Sequence, residues 1–551
     1  MPFQSLIQNN NQLTDNPEPI GWYLPESSAH QKTDPPELLG YLHQPIYLYH
    51  NENRIFAASN GKMLPGNQEP PPRALPLLAW LPPAPLENLG DSTFCKSLGI
   101  RYPYLGGSMA KGISSVEMAI ELGKAGMLGF FGAAGLPVAA VAESISRLQK
   151  ADIPFGCNLI HSPHEPDLEA DLAELFIAKG VHLVEASAFL RLTLPLVRYR
   201  LHGIHRAADG TIVTPNQIIA KVSREELAER FFSPAPEKLV QLLLDNGQLT
   251  AQQAELASLV PMAQYITAEA DSGGHTDNRP ALALFPTINS VAKKMQQKYG
   301  YSQQLKVGLG GGIGTPEAAA AAFALGASWI MVGSAHQACV ESGSSAAVRT
   351  MLAETGQADI TMAPAADMFE MGVTVQVLKR GTMFPMRAAR LYELYRNYNS
   401  LEDIPSAERE KLEKTVFLAP LQQIWDETRS FFMKRDPRQI VRAEKEPKHR
   451  MALVFRWYLG QAAHWAKDGV AARKIDYQIW CGPAMGAFNE WSANSFLAKA
   501  EERKVATVAL NLLFGTACIN RLNQLRYQGI RLDTDRQTRP LEMVKIKEYL
   551  R

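Results

Sequence analysis

The sequence is poor in the features that would place it in several common classes. It has five cysteines in 551 residues (Cys95, Cys157, Cys339, Cys481 and Cys518), far apart and with no Cys-x-x-Cys pair. That excludes a disulfide scaffold and a thiolate zinc site, and fits reduced thiols in a cytoplasm. It has almost no charge excess, with 56 Lys+Arg against 55 Asp+Glu. A chain built to coat nucleic acid or an anionic membrane would be strongly basic, so neither partner is expected. Its first residues, MPFQSLIQNNNQ, have no basic and apolar leader pattern, which predicts no signal peptide. The apolar stretch 126–142 is broken by glycines and a proline, so no membrane span is expected. An HExxH metal helix is also missing. His161-Ser-Pro-His164-Glu165-Pro imitates one, but the prolines oppose a helix, and no metal is expected.

What is present is a large apolar content, 46% of residues, over a length of several domain-equivalents. Residues 1–90 read as an irregular region. They contain a short β-hairpin in IYLYHNENRIFAAS and a proline-rich linker or strap at Pro70, Pro71, Pro72, Pro76, Pro82, Pro83 and Pro85. From residue 91 to 340 short apolar runs alternate with helical stretches. The strand candidates are YPYLGGS, MLGFFGA, IPFGCNLI, VHLVEASA, TPNQIIAKVS, MAQYITAEA, QLKVGLGGG and SWIMVGS. Eight such units predict an α/β fold, a closed (β/α)8 TIM barrel whose chemistry sits at the C-terminal ends of the strands. Residues 341–500 read as an all-helical insertion, and 501–551 as a last helix returning to the barrel, with a tail.

Four glycine-containing turns fall just after strands. Gly308, Gly310, Gly311, Gly312 and Gly314 end the seventh strand, and Thr315-Pro316-Glu317 opens a helix. Gly333-Ser334 ends the eighth. Adjacent seventh and eighth turns with free N–H groups suit one phosphate. The spacing is neither a GxGxxG fingerprint nor a Walker loop. After the sixth strand comes Asp271-Ser272-Gly273-Gly274-His275. There the glycines would let the backbone approach a flat ligand, and the histidine can move a proton near neutral pH. After the first strand comes Gly107-Ser108-Met109-Ala110, small enough for main chain to meet a planar ring. Residues 434–450 carry seven Lys/Arg against three Asp/Glu, which is either a solvated helix face or a dock for an acidic carrier protein.

At these motifs the chain resembles the flavin-dependent nitronate monooxygenase and FabK-type enoyl reductase superfamily. Ser108-Met109-Ala110, Phe155-Gly156-Cys157-Asn158-Leu159, Asp271 to His275, and the paired Gly311-Gly312-Ile313 and Gly333-Ser334 turns carry the likeness. The string D-S-G-G-H-T-D-N-R-P, the helical segment and WCGPAMGAFNEW are similar to the PfaD family, the enoyl reductase subunits that act in trans on polyunsaturated fatty acid and polyketide synthases. The resemblance implies FMN and NADPH as cofactors, a thioester on acyl carrier protein as substrate, and a homodimer. It implies His275 as the catalytic residue. Gly310, Gly311, Gly312, Gly333 and Ser334 would hold the FMN phosphate, and Gly107, Ser108, Met109 and Ala110 would line the ring. Asn158 would bond its polar edge, with Asp271, Gly273 and Gly274 beside it. It leaves Lys221 as either a cation near flavin N1 or an ordinary surface lysine. A nitronate oxidase and a non-catalytic synthase scaffold are the alternatives.

Overall fold

The computed structural model describes residues 18–26, 33–52, 54–66, 69–161, 166–532 and 538–550. Near its start an antiparallel sheet forms from β1 (Gly21–Leu24), β2 (Ile46–Asn51), β3 (Arg54–Ala58), β4 (Lys62–Pro65) and β5 (Leu75–Leu81), in the order β3-β2-β5-β1-β4. The β2–β3 hairpin is the one expected. The proline-rich stretch is not merely a strap, because its middle is the central strand β5. Pro76 is tolerated there because it lies opposite Trp22 of β1, where β2 has yet to pair; β2 engages only from Leu77 onward. The two-residue alternation sorts β2 cleanly. Ile46 and Leu48 face one cluster, and Tyr47 and Tyr49 face another, where Tyr49 stacks on Tyr23 at 4.7 Å.

The barrel closes as expected. Its strands are β6 (Tyr104–Gly106), β7 (Leu128–Phe131), β8 (Phe155–Ile160) and β9 (Leu183–Ser187). A small hairpin, β10 (His205–Arg206) and β11 (Ile212–Val213), intervenes before β12 (Gln217–Val222) and β13 (Tyr265–Glu269). After β14 (Gly274–His275) come the last barrel strands, β15 (Lys306–Gly310) and β16 (Ile330–Val332). All eight barrel strands coincide with the sequence runs, pair in parallel, and join when β16 meets β6.

The helix Val505–Tyr527 takes the place of a final barrel helix, packing on the helices Pro316–Ala324 and Val116–Lys124. Gly515 makes the approach possible, since a Cβ there would lie 2.6 Å from Pro316. Among the described residues this one helix is long and apolar enough to cross a membrane, and 72% of its apolar window is buried in the protein. It also ties down the N-terminal sheet. Arg521, fully buried, donates to the carbonyls of Leu39, Tyr41, Leu42, Gln44 and Pro82 at 2.7–3.2 Å. Burial lowers its pKa to about 10, so it stays charged, and the carbonyls take the place of a counter-ion.

Residues beyond the barrel carry a second core, built from helices such as Phe384–Asn397, Leu421–Arg435 and Pro447–Asp468. This segment is not all-helical. After the helix Ala346–Ala353 it forms the hairpin β17 (Ile360–Pro364) and β18 (Thr374–Leu378), whose Ala363, Val375 and Val377 enter that core. Strand β18 pairs in turn with β14, Gly274 opposite Gln376 and His275 opposite Val375. A loop of the barrel and a hairpin of the added segment thus share one small sheet.

Candidate functional site

The C-terminal rim of the barrel gathers every turn singled out in the sequence. Gly310 and Met331 are register partners, so the turns after β15 and β16 lie side by side. Among the described residues, the N–H groups of Gly312, Ile313, Gly333 and Ser334 donate to no protein acceptor. A Cβ built at Gly312 or Gly333 would meet nothing within 4 Å, and Gly312 has a left-handed φ of +74°. Open space beside unbonded amides is what a phosphate needs. Gly311 differs: its φ is +86°, and a Cβ there would sit 2.5 Å from the Ala270 carbonyl, so it serves the packing of the neighbouring loop.

Across the barrel mouth the first turn leans onto the fourth strand. Ser108 bonds Glu185 through its hydroxyl, with its N–H 3.3 Å from both carboxylate oxygens. Glu185 is completely buried, and burial raises its pKa. Lys221 stands 3.7 Å from Glu185 and 3.0 Å from Glu269. Burial by itself would lower the lysine's pKa, but Glu269 and then Glu185 outweigh it and raise it. Lys221 is therefore no surface lysine: its side chain is 15% exposed, and it is a fixed cation between two carboxylates. Asn158 accepts from the Ala134 N–H at 3.0 Å, which leaves its amide NH2 without a partner among the described residues.

The histidine loop is rigidly tied. Asn278 donates to Asp271 at 2.8 Å, and Asp277 takes Arg224 at 2.9 and 3.0 Å. The glycines beside His275 meet protein as well as any ligand. A Cβ at Gly273 would be 2.9 Å from the Cys481 carbonyl carbon, and one at Gly482 would be 2.7 Å from the Gly273 nitrogen. Gly274 has a φ of +81° against Trp480. Their first use is thus to let this loop touch the Trp480–Gly482 turn of the added segment, a contact the sequence reading did not foresee.

His275 itself is 38% exposed at the rim, and its Nε2 lies 3.1 Å from Asp367 Oδ1. Burial works to lower the histidine's pKa, but the Asp367 contact prevails and raises it; the same contact holds Asp367 low against its own burial. Nδ1 is left for a substrate. Two buried polar atoms nearby, Ser272 Oγ and Gln376 Oε1, have no partner among the described residues.

Sequence reasoning missed Asp367 and Glu185, and Glu269, which heads the histidine motif, was given no role there. Glu185 did leave a signal, a carboxylate inside the apolar run VHLVEASA. Asp367 left none, because its place depends on the hairpin. In the metal-like loop, residues 162–165 lie outside the described residues. His161 bonds Glu169 at 2.8 Å, and among the described residues no cluster of His, Cys, Asp and Glu is arranged for a metal. In the 434–450 run Arg438 pairs with Asp436 and Arg442 with Glu446, while Lys448 lies over Tyr395 and Arg450 stands 3.7 Å from Glu402, both outside the run.

Residues 92–395, more than half of the chain, match the nitronate monooxygenase family, and 398–477 match the inserted helical domain of [acyl-carrier-protein] S-malonyltransferase. The chain is 48% identical over 453 residues to a polyunsaturated fatty acid synthase component of Thraustochytrium, covering 81% of this chain and 30% of that protein. It is 43% identical over 436 residues to the polyketide biosynthesis protein PksE of Bacillus subtilis, covering 79% and 56%. It therefore spans less than two thirds of either relative. Among solved structures it is similar to the enoyl reductase domain of MlnA, from the macrolactin biosynthesis cluster of Bacillus amyloliquefaciens. That likeness has a TM-score of 0.76 and 38% identity, over 80% of this chain and 100% of that one.

Proposed function

The chain belongs to the nitronate monooxygenase family, and from that premise we propose that it is an FMN-dependent enoyl reductase. It reduces the 2,3 double bond of enoyl thioesters on acyl carrier protein, in trans with a polyunsaturated fatty acid or polyketide synthase, as a cytoplasmic homodimer fed by NADPH. The observation that carries this reading is the His275–Asp367 contact. Asp367 and its hairpin lie within the 92–395 match and supply half of the reacting pair, while the helices beyond them, matched over 398–477, are an addition that a small nitronate does not need. Likeness over the whole length of an enoyl reductase domain, added segment included, supports the same choice.

The residues fit the flavin. The free amides of Gly312, Ile313, Gly333 and Ser334 suit its phosphate, and the Asn158 amide suits the ring's polar edge. Lys221 sits on the same rim, with its charge already balanced by Glu269 and Glu185. Bound FMN supplies hydride chemistry; the protein supplies orientation and charge. Asp367 keeps His275 protonated and fixes its ring, so that Nδ1 delivers a proton to the substrate Cα.

Purified protein should carry tightly bound FMN, and the reduced protein should be reoxidised without oxygen by a crotonyl thioester. Nitronate turnover with oxygen, and no response to the thioester, would support the oxidase instead. A colourless protein that cannot be reconstituted would leave a scaffold.

A further inference from the structure

Lys111 follows directly on the Ser108–Ala110 turn and has no role in the proton transfer from His275. Its backbone is left-handed, with a φ of +58°, an uncommon conformation for a lysine. The Lys111 N–H is bonded to the Ala134 carbonyl at 2.8 Å, which fixes that conformation. The side chain is partly buried, and its ammonium lies 5.7 Å from the centre of the Trp480 ring. Trp480 is also the residue against which Gly274 packs, at 3.8 Å from a Cβ built there. One indole therefore stands beside both Lys111 and the strand that carries His275.

Among the described residues Lys111 has no ion pair and no hydrogen bond from its ammonium. The charges that face it come from three elements. Lys467 and His464 are on the helix Pro447–Asp468, Arg435 ends the helix Leu421–Arg435, and Asp367 is on the β17–β18 loop. The one acid in this set, Asp367, is already bonded to His275. Burial first, and then Lys467, push the lysine's pKa down to about 8 against the pull of Asp367. A desolvated ammonium among like charges is an arrangement completed by an anion.

We propose that Lys111 is a further catalytic residue, the group that holds the thioester oxygen as it becomes negative. The inference rests on the enoyl reductase reading. Bound FMN would supply hydride to Cβ; the electron pair of the 2,3 double bond would then shift to the carbonyl oxygen and leave an enolate on the substrate. A Lys111 N–H donates to that oxygen. The His275 Nδ1 proton then goes to Cα as the carbonyl reforms. One hydride and one proton are added, and the product is the saturated thioester. Two acids thus share the work, Lys111 at oxygen and His275 at carbon, with Trp480 beside Lys111 and beside the strand that carries His275.

The test uses the FMN-loaded full chain with crotonyl and acetoacetyl thioesters of N-acetylcysteamine. Turnover of the wild type should fall as His275 loses its proton and fall further through about 8, where Lys111 loses its own. Lys111→Arg should abolish the further loss near 8 and leave the His275 limb in place. Lys111→Met should lower kcat by roughly 10²–10³-fold, the usual worth of an oxyanion donor, with FMN retained. Acetoacetyl thioester has an acidic Cα, so its enolate absorption reads the site without turnover. It should develop on binding to the wild type and to Lys111→Arg, and be absent with Lys111→Met. A wild-type profile with no alkaline fall near 8, or an unchanged enolate band in Lys111→Met, overturns the assignment. A Lys111→Met variant altered only in KM for the nicotinamide nucleotide also overturns it, and makes Lys111 a phosphate contact. If the wild type reduces no crotonyl thioester at all, the enoyl reductase reading fails first.

Discussion

The barrel and the segment added after it are built by different rules. The barrel repeats one unit, strand then helix, and each unit advertises itself in the sequence. The added segment has a core of its own and repeats nothing, yet it delivers Asp367 to His275 and presses Trp480 and Gly482 against the histidine loop. In our reading the barrel holds the cofactor and the added segment completes the proton path. The two parts meet backbone to backbone at Gly273 and Gly482, and strand to strand at β14 and β18.

Four substitutions test that division. His275→Ala removes the shared proton donor and should lower turnover by about 10²–10⁴-fold while FMN stays bound. Steady-state kinetics with a flavin absorbance ratio checks both. Gly482→Ala places a Cβ 2.7 Å from the Gly273 nitrogen, so the loop must move. A displacement of the order of 1 Å should cost about 10²-fold in turnover, again without loss of flavin. If Gly482→Ala releases FMN instead, the division of labour is wrong.

Asp367→Asn should cost roughly tenfold or more and also change the pH profile. The contact raises the histidine's pKa, so a required imidazolium is present below that pKa and lost as pH rises through it. Without the carboxylate the fall in turnover should move to lower pH. Gly333→Ala is the smallest change. A Cβ there meets no protein atom, so stability should hold, while FMN affinity falls by roughly tenfold, the order of one weakened contact.

How much was readable beforehand follows the same line between the two parts. The eight strands were legible because runs such as IPFGCNLI and QLKVGLGGG are each followed by a helix of ordinary length. The paired turns after β15 and β16 were legible because glycines follow both strands, although at Gly311 the glycine serves the packing of the neighbouring loop. The hairpin was missed although Thr374-Val-Gln-Val-Leu378 is a β-rich run, because helical stretches surround it and outweigh five residues. Asp367 was invisible, since an acid in a loop has meaning only through the register of β18 on β14. Lys221 was placed on the correct strand, but its two carboxylates converge from other strands that no local pattern connects.

On this division of labour, the added segment turns a flavin barrel into an enoyl reductase. The decisive experiment is anaerobic stopped-flow reoxidation of the reduced holoprotein by crotonyl thioester on acyl carrier protein, for the wild type and Asp367→Asn side by side. The wild type should be reoxidised fast and the variant more slowly, with the gap widening as pH rises and FMN bound in both. A wild type that is not reoxidised, or a variant with the same rate and the same pH dependence, would contradict it.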